Sequence, residues 1–214
     1  MSIIKHAVIS AAGMGTRLGL NQPKCLVEIN NKKIIAYLLE LVKDIEDIRI
    51  VVGFMEKDVI DYVKNIRSDV TFVRNPDYKT TTNSYSVYLA TKDLKEPYLM
   101  VDGDLLINQP SYLDFINKVA ISPRQSLIGI TKAKTEEAVF VSLNSEQQII
   151  SFTREQGQLY EWSGLAYFSN IVINEQGGYI FSELEKYLPL KTQHIVCWEI
   201  DTPDDLELAR KEYY

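Results

Sequence analysis

The chain has 214 residues, of which 46% are hydrophobic and 24% charged, and its formal net charge is -6. These values favour one α/β domain over residues 1–214, with a core large enough to fold without disulfides or structural metals. The acidic balance argues against nucleic-acid binding, which needs a basic face, and no apolar run approaches the roughly 20 residues of a membrane span.

The first half of the chain alternates predicted strands with predicted helices. Residues 6–10, 48–53, 70–73 and 98–101 predict buried strands, residues 26–29 a short one, and residues 34–45, 55–66, 84–91 and 110–120 predict helices. This alternation calls for a parallel, doubly wound sheet.

The second half changes character. Residues 126–131, 138–143, 149–153, 165–168 and 196–200 predict strands, residues 170–188 a largely helical segment interrupted or started around Gly177 and Gly178, and residues 204–212 a closing helix. The expected architecture is therefore a mixed sheet whose first half is parallel and whose later strands add antiparallel pairs.

Cysteine content and the N-terminus suggest the compartment. Cys25 and Cys197 are too few and too far apart for a disulfide framework. The N-terminus lacks the apolar stretch of a signal peptide. We therefore expect a cytoplasmic protein, either a monomer or a homodimer.

A glycine-rich loop follows the first predicted strand. Residues 11–19 read Ala-Ala-Gly-Met-Gly-Thr-Arg-Leu-Gly, and Pro23 and Lys24 come soon after. Glycine lets another group approach the main chain, so bare N–H groups can surround an anion, and Arg17 and Lys24 add two positive charges. We interpret the loop as a cradle for a nucleoside triphosphate, with a merely flexible loop as the alternative. Its spacing matches neither the P-loop nor the dinucleotide fingerprint, which disfavours P-loop kinases, GTPases and hydride-transfer enzymes.

Carboxylates follow two other predicted strands. Asp102 and Asp104 come after the fourth strand, and Asp201 follows the last one. Ligands of open α/β sheets bind outside the carboxyl ends of the strands, and carboxylate oxygens beside a triphosphate suit Mg²⁺. We therefore predict Asp104 and Asp201 as Mg²⁺ ligands and Asp102 as a supporting residue. Taken alone, Asp201 fits a helix N-cap equally well, and Asp104 fits a turn.

The glycine loop and its Pro-Lys pair resemble the signature of the nucleotidyltransferases that make nucleotide sugars and related activated metabolites. Four further segments extend the resemblance in the right order: Asn-Pro-x-Tyr at 75–78, Thr-Asn-x-x-Ser at 82–86, Asp-Gly-Asp at 102–104 and Glu-Ile-Asp-Thr-Pro-x-Asp-Leu at 199–206. Within this family, the short chain and the Thr-Asn-x-x-Ser segment look most like bacterial phosphocholine cytidylyltransferases and relatives that act on small phosphorylated alcohols or amines.

The resemblance implies an α/β, Rossmann-like GT-A-type fold and a Mg²⁺-dependent reaction of a phosphomonoester with a nucleoside triphosphate, CTP being the favoured donor. Arg17 would hold the β- and γ-phosphates, and Lys24 would stabilise the α-phosphate in the transition state. The implied nucleotide-binding residues are Ala11, Ala12, Gly13, Gly15, Thr16, Thr82, Asn83, Ser86 and Asp102.

The acceptor pocket is expected in the second half. Glu161 and Trp162 belong to a segment that resembles the family's Glu-x-x-Gly near the acceptor, and Arg154 is the cation nearest to where relatives often carry a phosphate-binding Lys. Aromatic residues could surround a quaternary ammonium by cation–π attraction, or could simply pack in the core and at the rim. The candidates are Tyr160, Trp162, Tyr167 and Trp198.

The leading hypothesis is a nucleotidyltransferase that couples CTP to a small phosphorylated metabolite such as phosphocholine, or a similar amine or alcohol phosphate or phosphonate, and releases pyrophosphate. A nucleotidyltransferase for a sugar 1-phosphate is the alternative within the same class. A non-catalytic nucleotide-binding module is the rival from another class. The presence of Arg17, Lys24, Asp104 and Asp201 together favours the enzyme.

Overall fold

The computed structural model describes residues 3–134, 138–155, 157–176 and 178–213. Strands and helices alternate through the first half, and strands dominate the second. The strands are β1 His6–Ala11, β2 Glu28–Ile29, β3 Lys32–Lys33, β4 Asp47–Val52, β5 Val70–Arg74, β6 Tyr98–Asp102, β7 Leu105–Ile107, β8 Leu127–Lys132, β9 Phe140–Leu143, β10 Gln148–Thr153, β11 Tyr160–Phe168, β12 Leu190–His194 and β13 Cys197–Glu199. The α-helices are α1 Ile34–Leu41, α2 Glu56–Ile66, α3 Asn83–Thr91, α4 Gln109–Ile121, α5 Ile180–Leu184 and α6 Pro203–Glu212.

The central sheet has nine strands in the order β5-β4-β1-β6-β11-β8-β12-β10-β9. Strands β5, β4, β1 and β6 run parallel, and β11 joins β6 antiparallel. The mixed sheet predicted from the sequence is therefore confirmed, except that one later pair, β8 with β12, is parallel because a crossover of more than 50 residues separates the two strands.

The part of the sheet built by the second half of the chain curls into a ring, in which β12 pairs parallel with β8 and the other pairs are antiparallel. Strand β9 pairs with β10 and also with β11, where Phe140 lies opposite Glu161. Because β11, β8, β12 and β10 are already joined in that order, the second β9 contact closes five strands on themselves. Closure removes exposed strand edges from this half of the molecule.

The core lies on both faces of the sheet, because alternate residues of a strand point to opposite sides. In β1, Ile9 packs in one buried cluster and Val8 in the other. The first cluster lies under α1, α2, α4 and α6, and the second under α3 and α5. Strand β1 is buried on both faces, which explains its continuous apolar run.

The predicted helix over residues 170–188 is wrong in most of its length. Only Ile180–Leu184 is α-helical, followed by a 3₁₀ turn at Glu185–Tyr187. Before α5, Ile171 and Ile173 are buried two residues apart, so their spacing reflects core packing of an irregular segment. Gly178 is outside any helix, and Gly177 lies outside the described residues.

Several short elements escape the sequence pattern. Strand β12 reads Leu-Lys-Thr-Gln-His and has too few apolar residues to be predicted as a strand, although its Leu190 and Thr192 are buried. Strand β7 is a fully buried run of three residues, too short to recognise. No helix within the described ranges is long and apolar enough to cross a membrane.

Candidate active site

The glycine loop leaves the carboxyl end of β1 and turns sharply. Gly15 has φ 60° and precedes a 3₁₀ turn at Thr16–Leu18, which ends at Gly19 with φ 70°. A β-carbon on Gly15 would lie 2.6 Å from Cγ of Lys24. Glycine is therefore required at position 15 both for the left-handed backbone and for the passage of the Lys24 side chain.

The two predicted metal ligands meet because two short strands pair. Strand β13 runs antiparallel to β7, so Glu199 lies opposite Leu105. The backbone N–H of Ile200 also donates to the carbonyl of Asp104 at 3.0 Å. This pairing places Asp201, at the end of β13, beside Asp104, at the start of β7, although 97 positions separate them in the sequence.

Two cations bridge these carboxylates. Nζ of Lys24 donates to Oδ2 of Asp104 at 2.7 Å and also to Oδ1 of Asp201. Nη2 of Arg17 donates to Oδ2 of Asp201 at 2.7 Å. Burial by itself would lower the pKa of Lys24, but the two carboxylates outweigh it and raise that pKa above its ordinary value. Lys24 is therefore a fixed positive charge.

Glu199 joins the acidic pair and was missed by the sequence reasoning. Carboxylate oxygens of Asp104, Glu199 and Asp201 lie within 4.8 Å of one another. Glu199 and Asp201 are two residues apart at a strand end, and this spacing could have revealed that both reach one face. The Glu199 side chain opens onto the cleft, yet the protein around it displaces enough water to raise its pKa, and Asp104 and Asp201 raise it further.

Asp201 is not the cap of α6. The N-cap is Thr202, whose hydroxyl accepts from the backbone N–H of Asp205, while the Asp205 carboxylate accepts from the N–H of Thr202. This capping box satisfies the helix start. The carboxylate of Asp201 faces Arg17 and Lys24 instead.

Asp102 lies under the site at a point of close backbone approach. Gly103 donates its N–H to the carbonyl of Ser10 at 2.8 Å, and a β-carbon there would lie 2.7 Å from that oxygen. Gly164, with φ 78°, approaches Asp102 from the other side. A β-carbon on Gly164 would lie 2.9 Å from Oδ2 of Asp102. Burial raises the pKa of Asp102 well above its ordinary value, and Asp104 raises it further.

A cleft of about 920 Å³ opens above these residues at the carboxyl ends of the parallel strands. Of the sixteen site residues predicted from the sequence, fifteen lie in the lining of this cleft, so the structure brings them together. These residues are Ala11, Ala12, Gly13, Gly15, Arg17, Lys24, Thr82, Asn83, Ser86, Asp102, Asp104, Arg154, Glu161, Trp162 and Asp201. Thr16 does not line the cleft and is exposed on the outer side of the loop.

The predicted base-side residues are largely engaged with the protein. Ser86 is buried and accepts a hydrogen bond from Nδ2 of Asn75 at 3.0 Å. Oδ1 of Asn83 accepts from the backbone N–H of Ile180 at 3.2 Å, and the hydroxyl of Thr82 donates to the carbonyl of Gly178. The start of α3 therefore holds the segment that leads into α5 against the cleft.

The three residues predicted to bind the acceptor, Trp162, Glu161 and Arg154, line one side of the cleft together with residues that the sequence reasoning did not select. Lys134 donates its backbone N–H to Oε2 of Glu161 at 3.2 Å. The further lining residues of this side include Lys134, Tyr179, Phe181 and Trp198.

Two of the four aromatic residues considered as partners of a quaternary ammonium do not line the cleft. Tyr167 is 2% exposed and its hydroxyl donates to the carbonyl of Pro123 at 2.8 Å. Tyr160 packs edge-on against His194, with ring centroids 4.7 Å apart. For these two residues the structure therefore supports the second alternative, packing, and not a contact with an ammonium in the cleft.

A family model described as MobA-like NTP transferase domain matches residues 7–172. The choline-phosphate cytidylyltransferase of Streptococcus pneumoniae (strain ATCC BAA-255 / R6) is 42% identical over 103 residues, 46% of this chain and 44% of that protein. The CTP:phosphoglutamine cytidylyltransferase of Campylobacter jejuni is 34% identical over 116 residues, 52% of this chain and 44% of that protein. These matches thus span less than half the length of either relative.

A solved structure of the CTP:phosphocholine cytidylyltransferase from Streptococcus pneumoniae has a similar fold. The TM-score is 0.80 at 24% identity, over 97% of this chain and 99% of the other. This likeness confirms the predicted α/β fold of the GT-A-like type. The family match confirms the resemblance seen in the glycine loop and its partner segments.

Proposed function

The chain belongs to the family of MobA-like NTP transferase domains, and on that premise we propose that it is a Mg²⁺-dependent cytidylyltransferase for a small phosphorylated metabolite. It would couple CTP to an amine or alcohol phosphate, or to a phosphonate, and release pyrophosphate. The similarity to a choline-phosphate cytidylyltransferase and to a CTP:phosphoglutamine cytidylyltransferase supports this class of substrate.

One observation carries the proposal. The ammonium of Lys24 lies between the carboxylates of Asp104 and Asp201, and Arg17 contacts the other oxygen of Asp201, at the floor of the large cleft. A group of alternating charges below a glycine loop suits a triphosphate and its metal together. A binding module that only held a nucleotide would not require this arrangement of two cations and two carboxylates.

The carboxylate set fits Mg²⁺. Asp104, Glu199 and Asp201 offer hard oxygen ligands within 4.8 Å of one another, and this is the donor type that Mg²⁺ selects. Oxygens of Asp104 and Asp201 already bind the ammonium of Lys24, so the site stabilises positive charge. When bound there, Mg²⁺ would neutralise negative charge on the triphosphate oxygens.

The chain's own residues would supply positioning and charge. A phosphate oxygen of the acceptor attacks the α-phosphorus of the nucleotide, the bond from that phosphorus to the bridging oxygen breaks, and pyrophosphate leaves with its electron pair. Lys24 would hold the α-phosphate as charge develops, and Arg17 would hold the leaving phosphates. Backbone N–H groups at Gly13 and Gly15 would surround the phosphates at the end of β1.

Pyrophosphate release tests the proposal. CTP, UTP, ATP and GTP are each combined with phosphocholine, 2-aminoethylphosphonate, a polyol phosphate and a sugar 1-phosphate, with and without Mg²⁺. We expect release that requires a nucleotide, an acceptor and Mg²⁺ together, with CTP as the best donor. Turnover confined to sugar 1-phosphates would favour the alternative within the class, and nucleotide binding without release under any combination would contradict the enzyme.

A further inference from the structure

Most of the aromatic side chains that line the cleft are already paired with cations of the chain itself, Trp162 being the exception among those described. Five aromatic residues line the cleft within the described part of the chain: Tyr78, Trp162, Tyr179, Phe181 and Trp198. Four of these rings lie beneath a lysine or arginine. A quaternary ammonium binds over aromatic faces. Rings that are already covered by a lysine or arginine are therefore poor binding sites for an acceptor that carries such a group.

Arg154 makes the most extensive of these contacts. Its guanidinium carbon lies 5.0 Å from the ring centroid of Tyr179 and 5.5 Å from that of Phe181. The two rings stack with centroids 5.6 Å apart and an interplanar angle of 9°, so the guanidinium rests on a continuous aromatic surface. Such stacking restricts a flexible side chain and leaves the edge of its planar fork available for hydrogen bonds.

The segment under Arg154 is itself held in place. The backbone N–H of Ile180, between the two stacked rings, donates to Asn83 of α3, and the carbonyl of Gly178 accepts from the hydroxyls of Thr82 and Ser84. The wall that supports Arg154 is therefore tied to a helix packed on the central sheet.

Lys134 covers a second aromatic face, nearer to the acidic cluster. Its Nζ lies 5.2 Å from the ring of Trp198 and donates to the carbonyl of Cys197, two residues before Glu199. Lys79 lies over Tyr78 at 5.9 Å. A cationic acceptor tail at these rings would meet like charge, whereas an anionic tail would meet opposite charge.

We propose that the acceptor carries a carboxylate in addition to its phosphate, and that Arg154 binds this carboxylate and so determines acceptor specificity. The inference rests on the proposed function and narrows its substrate class. The fork of a stacked guanidinium matches a carboxylate through two parallel hydrogen bonds. Lys134, next to the acidic cluster, is the cation placed for the acceptor phosphate.

Two matched pairs of acceptors test the inference with CTP and Mg²⁺. O-phosphoserine differs from phosphoethanolamine by one carboxylate, and 3-phosphoglycerate differs from glycerol 3-phosphate by a carboxylate in place of an alcohol. We expect kcat/KM to be higher for the carboxylate member by about tenfold or more, as for a hydrogen bond to a charged group. Phosphocholine should be no better than phosphoethanolamine.

Variants of Arg154 separate carboxylate recognition from phosphate binding. Arg154→Gln should collapse the ratio of kcat/KM within a pair toward one, chiefly through the KM of the carboxylate acceptor, and Arg154→Lys should retain part of the ratio. Arg124→Gln, at an exposed turn, is the matched control and should leave the ratio unchanged. Equal losses for both members of a pair, or a rise in the KM of CTP alone, would overturn the role given to Arg154.

The failure of this inference differs from the failure of the proposed function. Turnover confined to phosphocholine, phosphoethanolamine, glycerol 3-phosphate or a sugar 1-phosphate would overturn the carboxylate requirement while the nucleotidyltransferase assignment stood. Absence of pyrophosphate release with every nucleotide and acceptor would refute the proposed function, and the inference with it.

Discussion

The half of the cleft proposed to bind the nucleotide and the half proposed to bind the acceptor, here called the nucleotide side and the acceptor side, are built in different ways. On the nucleotide side, the glycine loop, Arg17 and Lys24 come from one stretch at the end of a buried parallel strand. On the acceptor side, Arg154, Lys134 and Trp198 come from separate strands and loops around a closed ring of five strands. A local stretch can be recognised from its residues alone, whereas a wall assembled from distant pieces depends on how the strands pair.

The nucleotide side should therefore be fragile to single changes. Lys24→Ala removes the cation between Asp104 and Asp201, and we expect kcat to fall by about 100- to 1000-fold, as when one preorganised donor to a developing charge is lost. Steady-state pyrophosphate release measures the effect, and circular dichroism with Mg²⁺ present checks the fold. Lys64→Ala, exposed on α2, is the control. Unchanged turnover in Lys24→Ala would remove the basis of the assignment.

Two glycines of the same loop separate backbone strain from displacement of Lys24. Gly15→Ala and Gly19→Ala both place a side chain at positive φ, and each should lower stability by about 1–2 kcal/mol. Only the β-carbon at position 15 meets Lys24, since nothing lies within 4 Å of the one at position 19.

We therefore expect kcat of Gly15→Ala to be about 10- to 100-fold lower than kcat of Gly19→Ala, because a small misplacement of a catalytic group is costly. Thermal unfolding and kcat are measured for both variants. Equal kcat values would show that the position of Lys24 does not depend on Gly15.

Asn83 lies where the two sides of the cleft meet. Sequence reasoning assigns it to the base, while its Oδ1 in the structure accepts from Ile180 in the wall below Arg154. Asn83→Ala should raise the acceptor KM by about three- to tenfold, the effect of one lost neutral hydrogen bond. Asn65→Ala, exposed on α2, is the control. A change in the CTP-to-UTP preference with the acceptor KM unaltered would assign Asn83 to the base instead.

The smallest effect is expected at the opposite end of β1, away from the cleft. Nδ1 of His6 bonds to Oδ2 of Asp47 at 2.7 Å. Burial alone would raise the pKa of Asp47, but hydrogen bonds from Arg49 and His6 outweigh it and lower the pKa below the ordinary 3.8. The resulting stability is present above about pH 4 and is lost as the pH falls through the lowered pKa.

His6→Ala should reduce this contribution. We expect a loss of less than about 1 kcal/mol in the free energy of unfolding at pH 5, because the pair is partly exposed, and a smaller difference at pH 3. Chemical denaturation at the two pH values measures both, with Glu46→Gln, an exposed site, as the control. Activity at pH 7 should not change, and a large loss of activity would indicate that the two ends of β1 are coupled.

Residues with a strong local signal were predictable. The glycine loop, Lys24 and the carboxylates after β6 and β13 could be placed at strand ends because runs of apolar residues predict buried strands. Glu199 was not selected, since its approach to Asp104 depends on the pairing of β13 with β7, two strands of three residues each. Whether Tyr167 faces the cleft or the core stayed open in the sequence, because an aromatic residue near a motif looks the same in both cases, and the structure places it in the core.

The sequence by itself determined the family and the α/β alternation, and it supplied the residues on which the proposed phosphate site rests, because these features depend on contiguous residues and on local periodicity. The tertiary structure alone decided three things: the closure of the five-stranded ring, the hydrogen bond between Asn83 and the first residue of α5, and the stacking of Arg154 on Tyr179 and Phe181. Each joins residues far apart in the chain. Such contacts follow from strand pairing and packing, which no local pattern records.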